Sequence, residues 1–287
     1  MAESNPLPSW LDGPSKKVIA EYVEAVTRSG SPDLIPEPAR MAQLRVRLEA
    51  EPEVGDNPMV QAALKGDVAT LLANHHHGLV EVLTLTHSEM TTEDFSASVD
   101  HWIRTARHPR FDRPYDQCTY RPMRELLAFL RSRGFKTFIV SGGGQDFMRP
   151  WTERVYGIPP EQVVGSRGRV RYELRNDRPV LVKTMESLFV DDREGKPAGI
   201  HEFIGRKPVL AFGNSDGDKA MLEYTTLDNP YRSLGLILHH TDAEREYAYD
   251  VNPGSTGSLV EAKADAPKRG WHLVDMKEEW ATVFDGG

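Results

Sequence analysis

Short apolar runs that end in polar or glycine-rich loops recur along the second half of this 287-residue chain. Residues 209–212 are apolar and lead into a loop of glycine, asparagine, serine and two aspartates, after which helix-forming residues begin at Lys219. Residues 136–140 likewise precede Ser141, three glycines at 142–144 and a new helical pattern. Apolar runs of this length bounded by glycine are typical of buried strands in a parallel sheet. The pattern therefore predicts an α/β fold.

Helical spacing and turn signals predict further elements in the same region. Thr91 and Asp94 have the spacing of a helix N-terminus, and Phe95, Val99 and Ile103 fall on one face of the helix that would follow. Further predicted elements are a helix from Pro122 to Gly134, strands at 163–165 and 236–238, a hairpin pairing 170–174 with 180–182 around Asn176 and Asp177, and a helix around 259–263. Helices and strands that alternate in this way indicate strand–helix–strand units.

The patterns divide the chain into three parts. Residues 1–40 form an N-terminal arm with one helix and a proline-rich loop, residues 41–107 are helical, and residues 108–287 hold the α/β pattern. Three adjacent histidines at 75–77 cannot all face one ion from a helix, which favours a surface position for them.

Polar side chains follow two of the predicted strands directly. Asn214, Asp216 and Asp218 follow residues 209–212, and oxygen ligands of this kind suit Mg²⁺ at the carboxyl end of a strand. Capping of the next helix is the structural alternative for the two aspartates. Ser141 and the glycines after it predict a cradle of backbone N–H groups for an anion. Together, the two loops favour phosphate chemistry.

Composition limits the class of protein. A hydrophobic fraction of 39% and a charged fraction of 27% are values of a globular chain, and the net charge of −8 argues against nucleic-acid binding. Cys118 is the only cysteine, so the chain forms no internal disulfide. The sequence has no apolar run long enough for a membrane span and no signal-like start, which predicts a cytoplasmic protein without a membrane partner.

Four segments in this order resemble a known family. They are residues 141–144 (SGGG), 191–197 (DDREGKP), 213–218 (GNSDGD) and 239–247 (HHTDAEREY). The chain resembles phosphatases of the haloacid dehalogenase superfamily, in their phosphoserine-phosphatase-like branch. The resemblance implies a Rossmann-like parallel sheet flanked by helices, with residues 41–107 inserted as a helical cap.

The resemblance also implies site residues and a cofactor. Ser141 and Lys196 match the hydroxyl and lysine that hold the phosphoryl oxygens, and the amides of Gly142 and Gly143 lie beside Ser141 in the sequence. The residues that match the metal-binding motif are Asp218, Asn214 and Asp216. A Mg²⁺ ion and a small phosphorylated metabolite are then the expected cofactor and substrate, while the oligomeric state stays open.

The chain departs from the family at the nucleophile. Relatives carry an Asp-x-Asp motif on the central strand after the proline-rich loop, but here residues 35–40 run straight into a helical segment. The only Asp-x-Asp is Asp216-Gly217-Asp218, and Asp56 has no strand before it. A genuine deletion, an error in the gene record and a deliberate excision all explain the gap. Loss of a central strand predicts either a sheet that closes over the gap or a poorly ordered core.

These observations support two functions of different class. The first is Mg²⁺-dependent hydrolysis of a small phosphomonoester, and the second is a catalytically inactive remnant or binding module. A dehalogenase or phosphomutase would share the scaffold, but dehalogenases need no Mg²⁺, and residues 214–218 argue mildly against one. His239 and His240 follow a predicted strand close to the site, where packing is at least as reasonable a role as catalysis.

Overall fold

The computed structural model describes residues 8, 9, 11, 87–184, 186, 188–248 and 258–286. The predictions for the N-terminal arm and for most of residues 41–107 lie outside these ranges, as do those for Asp56 and for the histidines at 75–77. The structural statements below concern the described residues.

The described residues alternate between helices and strands, as the sequence predicts. The helices are α1 (Thr92–Thr105), α2 (Arg121–Ser132), α3 (Gln145–Tyr156), α4 (Gly195–Ile204), α5 (Lys219–Thr226), α6 (Glu261–Arg269) and α7 (Met276–Glu279). The strands are β1 (Ile139–Gly144), β2 (Val163–Ser166), β3 (Val170–Arg175), β4 (Arg178–Lys183), β5 (Leu210–Gly213), β6 (Leu234–His239) and β7 (His272–Asp275). None of these helices has the length and apolar character needed to cross a bilayer.

The strands form two parallel sheets and one hairpin. β1 pairs with β2, and β5, β6 and β7 pair in that order, all in parallel. β3 and β4 pair antiparallel around Asn176 and Asp177, which both have positive φ, at 52° and 61°. The parallel sheets with helices packed on them confirm the predicted α/β class.

Helix α1 begins where the sequence predicts. The hydroxyl oxygen of Thr91 accepts a hydrogen bond from the Asp94 N–H at 3.0 Å, and Phe95, Val99 and Ile103 are buried. These residues share one hydrophobic cluster with Ile139 of β1 and with Trp151 of α3. The part of the predicted cap that the structure describes thus packs against β1 and α3.

Strand β1 runs further than predicted. The sequence places a strand at 136–140 with a glycine loop after it, whereas β1 extends through Gly144. Its ladder to β2 shifts register between Ser141 and Gly144, so the glycine stretch stays extended without regular pairing. Gly165 of β2 permits this approach, because a Cβ atom there would lie 2.7 Å from the carbonyl oxygen of Gly143.

In the described ranges the parallel strands belong to two separate ladders. There β1 pairs only with β2, and β5 is hydrogen-bonded only to β6. The closed sheet and the poorly ordered core, the two outcomes expected for a lost strand, both stay predictions. Side chains connect the halves instead, since Val140 of β1 packs on the cluster that contains Ala211 of β5 and Ile237 of β6.

Three buried clusters form the core. One lies with β1, β2, α1 and α3, a second with Ala211, Leu222 and Trp271, and a third with Phe212, Leu238 and Trp280. Cys118 is buried in the third cluster, in agreement with a structural role. The core therefore covers both sides of the β5–β6–β7 sheet as well as the β1–β2 pair.

The N-cap of α1 gives a test of the local structure. We expect Thr91→Ala to lower the free energy of unfolding by about 1 kcal/mol, because the Asp94 N–H loses its acceptor, and Thr91→Ser to restore most of it. Thr92→Ala is the matched control, since the Thr92 hydroxyl bonds only to the exposed Glu93 carboxylate. Urea unfolding measures the difference, and equal effects at positions 91 and 92 would contradict the capping role.

Candidate active site

The glycine-rich end of β1 forms one wall of the candidate site. Ser141 is buried, and its Oγ accepts a hydrogen bond from the Gly143 N–H at 3.1 Å. Gly142 lies against Asp192, with its ideal Cβ position 3.6 Å from the Asp192 Cβ. The structure thus places Ser141, Gly142 and Gly143 in the extended, irregularly paired end of β1, beside a carboxylate.

Lys196 is buried in the first turn of α4. Its Nζ donates to Asp218 Oδ1 at 2.5 Å and to the carbonyl oxygen of Val140 at 3.3 Å. Burial acts to lower the pKa of Lys196, but the nearby Asp218 and Asp192 more than offset it, so the pKa is raised and the lysine is charged. Lys196 therefore joins β1, at Val140, to the loop that follows β5.

The loop after β5 closes on Asp218. Asp218 Oδ2 accepts hydrogen bonds from the N–H groups of Asn214 at 2.8 Å and Ser215 at 3.1 Å. Gly213 allows this turn because a Cβ atom there would lie 2.2 Å from the Asp218 Cβ. Both Asp218 oxygens thus have partners within the protein, one of them a buried ammonium group.

Asp216 faces away from Lys196 and towards helix α6. Its Oδ2 accepts the N–H of Val260 at 3.0 Å, and its Oδ1 accepts the N–H of Ala262 at 2.8 Å. The carboxylate therefore satisfies backbone donors at the start of α6. Asp216 thus caps α6 rather than α5, the helix that follows it in the sequence.

Asp191 and Asp192 are carboxylates whose positions the sequence did not reveal. Asp191 is fully buried, and burial raises its pKa to about 7 in spite of the charges of Lys196 and Arg167. Asp192 is half-buried, and a Cβ at Gly217 would lie 2.5 Å from its Oδ1. The Arg193 N–H also donates to the Gly217 carbonyl oxygen at 3.1 Å. Asp192 therefore lies between the glycine-rich end of β1 and the loop after β5. Its place in the 191–197 segment, which resembles the family, was the available signal.

His240 connects to the site through a buried polar network. Its Nε2 is 3.5 Å from Asn214 Nδ2, and its Nδ1 is 3.5 Å from Glu246 Oε2. The Tyr120 hydroxyl donates to Glu246 Oε1 at 3.1 Å. His239 instead lies 2.9 Å from Lys263 Nζ. These contacts place His240 between Asn214 and Glu246 in the buried interior. They support the alternative in which His240 has a packing role.

The predicted metal residues do not converge on one point. Asp218 is paired with Lys196, Asp216 faces α6, and Asn214 offers a neutral amide. Within the described ranges, no group of three or more histidine, cysteine, aspartate or glutamate side chains is arranged to hold an ion. The structure thus brings together Ser141, Lys196, Asp218 and Asn214, with Asp216 directed elsewhere.

A sequence comparison identifies the family of this chain. The family model for haloacid dehalogenase-like hydrolases matches residues 32–223, about two thirds of the chain. The chain belongs to the haloacid dehalogenase-like hydrolases. No curated protein sequence matches it significantly.

Two solved structures that are similar to this chain have low sequence identity to it. A conserved protein of unknown function from Anaerococcus prevotii DSM 20548 is 16% identical with a TM-score of 0.44, over 82% of this chain and 67% of its own. A phosphoserine phosphohydrolase-like protein from Francisella tularensis subsp. tularensis SCHU S4 is 17% identical with a TM-score of 0.33, over 69% of this chain and 78% of its own.

The buried ion pair predicts a coupled response to substitution. We expect Lys196→Met or Asp218→Asn alone to lower the free energy of unfolding by about 3–5 kcal/mol, because each leaves the other charge or its hydrogen-bonding loop without a partner. The double variant should lose clearly less than the sum of the two, as measured by urea unfolding. Additive losses would contradict a direct interaction between the two side chains.

The raised pKa of Asp191 predicts a dependence of stability on pH. The folded state keeps the Asp191 proton up to about pH 7, whereas the unfolded chain loses it near pH 3.8. The contribution of Asp191 to the free energy of unfolding is therefore largest below about pH 3.8. It falls as the pH rises towards 7, by up to about 1.4 kcal/mol for each pH unit. Asp191→Asn, which stays neutral, should show a flatter profile between pH 5 and 8 in urea unfolding.

Glu279 also has a pKa raised to about 7 by burial, so a second group titrates in the same range. The Glu279 contribution is present in both the parent and the Asp191→Asn protein and cancels when their slopes are compared. Equal slopes would contradict the assignment to Asp191.

Proposed function

We propose that this chain binds small phosphomonoesters at the glycine-rich end of β1 and hydrolyses them. The observation that supports this best is the buried ammonium group of Lys196, which reaches β1 at Val140, the residue before Ser141. A charged lysine beside backbone N–H groups is a suitable partner for a phosphoryl group. The Ser141 hydroxyl and the Gly142 amide would complete the set of donors, while the Gly143 N–H is bound to Ser141 Oγ.

Charge balance explains why such a site would need a cation. Asp218 already compensates Lys196, and Asp192 adds a negative charge beside the glycine-rich end of β1. A phosphate dianion would then meet little net positive charge. Mg²⁺, the cofactor that the family implies, would supply it, but of the residues predicted to bind it Asp218 is engaged with Lys196 and Asp216 with backbone N–H groups. These residues do not by themselves fit a Mg²⁺ site, so we assign no step to the ion.

Asp192 is the carboxylate that fits the role of nucleophile. It is half-buried between the two loops and accessible from the site, in contrast to the fully buried Asp191. In the reaction, an Asp192 oxygen would form a bond to phosphorus while the bond to the ester oxygen breaks, and the leaving alkoxide takes a proton from water to give the alcohol and hydroxide. Hydrolysis of the acyl phosphate by water would then return the free carboxylate and inorganic phosphate.

Phosphate binding without turnover is the second candidate function. The observation that favours it is that the only Asp-x-Asp sequence in the chain, Asp216-Gly217-Asp218, has both carboxylates bound to backbone N–H groups. Without an attacking carboxylate, the same donors would still retain a phosphate anion. Both functions predict phosphate binding, and only the first predicts hydrolysis of a phosphomonoester.

Hydrolysis of a chromogenic aryl phosphate, with Mg²⁺ and with a chelator, tests the proposal. We expect Ser141→Ala to lower kcat/KM about 10- to 100-fold, since one donor to the phosphoryl oxygens is lost. Asp192→Asn should abolish turnover and leave binding of inorganic phosphate, followed as a rise in Tm, in place.

Ser98→Ala is the matched control for Ser141→Ala, because the Ser98 hydroxyl bonds only to the Asp94 carbonyl on the exposed surface of α1. Phosphate-dependent stabilisation without turnover in the unsubstituted protein would favour the binding function. Turnover that Asp192→Asn leaves unchanged would exclude Asp192 as the nucleophile, and absence of both binding and turnover would overturn the proposal.

A further inference from the structure

The β3–β4 hairpin has an apolar face that is open to solvent. Tyr172 and Leu174 of β3 are 62% and 63% exposed, and Val170 and Leu181 are 44% and 42% exposed. Because side chains alternate along a strand and Tyr172 pairs with Leu181, all four lie on the same face. Isolated exposed apolar residues are ordinary, but a contiguous set on one hairpin marks an interaction surface.

One edge of this hairpin is also open. The outer edge of β4 is covered, because Lys183 exchanges backbone hydrogen bonds with Glu89 and Met90. In the described part of the chain β3 pairs only with β4. An exposed apolar edge strand of this kind is a template for pairing with another strand.

The turn fixes which backbone groups of β3 are available. Arg175 and Arg178 close the two-residue turn, and antiparallel pairs alternate between bonded and non-bonded from there. The outward hydrogen bonds of Lys183, the partner of Val170, agree with this alternation. The N–H and C=O groups of Val170, Tyr172 and Leu174 therefore point away from β4, towards the open edge.

We propose that two copies of this chain associate through their β3 strands, antiparallel about a two-fold axis at Tyr172. Pairing two copies of one edge strand about a two-fold axis is self-complementary and closes the assembly at a dimer. The axis at Tyr172 places Val170 opposite Leu174 of the second copy, and these are the residues with outward backbone groups. The two hairpins then form a continuous four-stranded sheet.

The charges on the other face of β3 select this register. With the axis at Tyr172, Arg171 of each copy lies opposite Glu173 of the other copy, which gives two pairs of opposite charge. An axis at Arg171 would place Arg171 opposite itself, and an axis at Glu173 would place Glu173 opposite itself and Arg171 opposite Arg175. Like charges directly opposite each other destabilise a strand pair, whereas opposite charges stabilise it. Within one chain Arg171 already pairs with Glu173 at 2.6 Å and with Glu89 at 3.0 Å, so the second copy would add its carboxylates to an existing charge network.

Reversal of these charges tests the register. Sedimentation or light scattering over about 1–100 µM chain should give the mass of a dimer at the upper end, as expected for a moderate interface. Arg171→Glu or Glu173→Arg alone places like charges opposite each other and should raise the dimer dissociation constant at least about tenfold. The protein with both substitutions again has opposite charges face to face and should regain the dimer.

Arg178→Glu is the matched control, since Arg178 is an exposed charge of β4 at the turn, away from the β3 edge. Circular dichroism of each variant confirms that the fold is kept. A monomer at all concentrations would overturn the proposal, as would a dimer that neither single reversal weakens. A dimer weakened by both single reversals and not restored by the double variant would overturn the register at Tyr172.

Discussion

The buried ion pair between Lys196 and Asp218 organises the region where the two parallel sheets meet. Lys196 comes from the first turn of α4 and Asp218 from the loop after β5, and the same ammonium group reaches the backbone of β1 at Val140. A charge removed from water is costly unless it is paired and hydrogen-bonded, so the three segments hold one another in place. This contact links the loop after Gly213 to strand β1 just before Ser141.

The sequence predicted the elements whose signals are local. The cap of α1 at Thr91, the hairpin turn at Asn176 and Asp177, and the apolar strands before the two loops each depend on residues within a few positions of one another. Lys196 and Asp218 form an ion pair, and Lys196 also reaches Val140, the residue before Ser141. The predicted strand at 136–140 was placed too early, because the glycines of β1 stay extended only through contact with β2, which is distant in sequence.

The partners of the carboxylates could not be predicted from the sequence. Asp216 finds its donors at Val260 and Ala262, more than forty positions away, and no local pattern distinguishes it from Asp218. Asp191 and Asp192 are adjacent and chemically identical, yet one is fully buried and the other borders the site. Their difference arises from the packing of the 191–195 loop between β2 and the loop after β5, which only the tertiary structure defines. The family assignment indicates a hydrolase. The burial and the neighbours of each carboxylate then determine which of them is accessible from the candidate site.

The separation of the parallel strands into two ladders has a consequence for cooperativity. The β1–β2 pair has its own cluster with Trp151, and the β5–β6–β7 sheet has clusters with Trp271 and Trp280. In the described ranges β1 and β5 belong to different hydrogen-bonded ladders. Side chains couple the two parts, because α2 contributes Met123 and Leu126 to one cluster and Leu127 to another, and Val140 of β1 packs on the cluster of β5 and β6. Local opening of one part therefore also has to break these side-chain contacts.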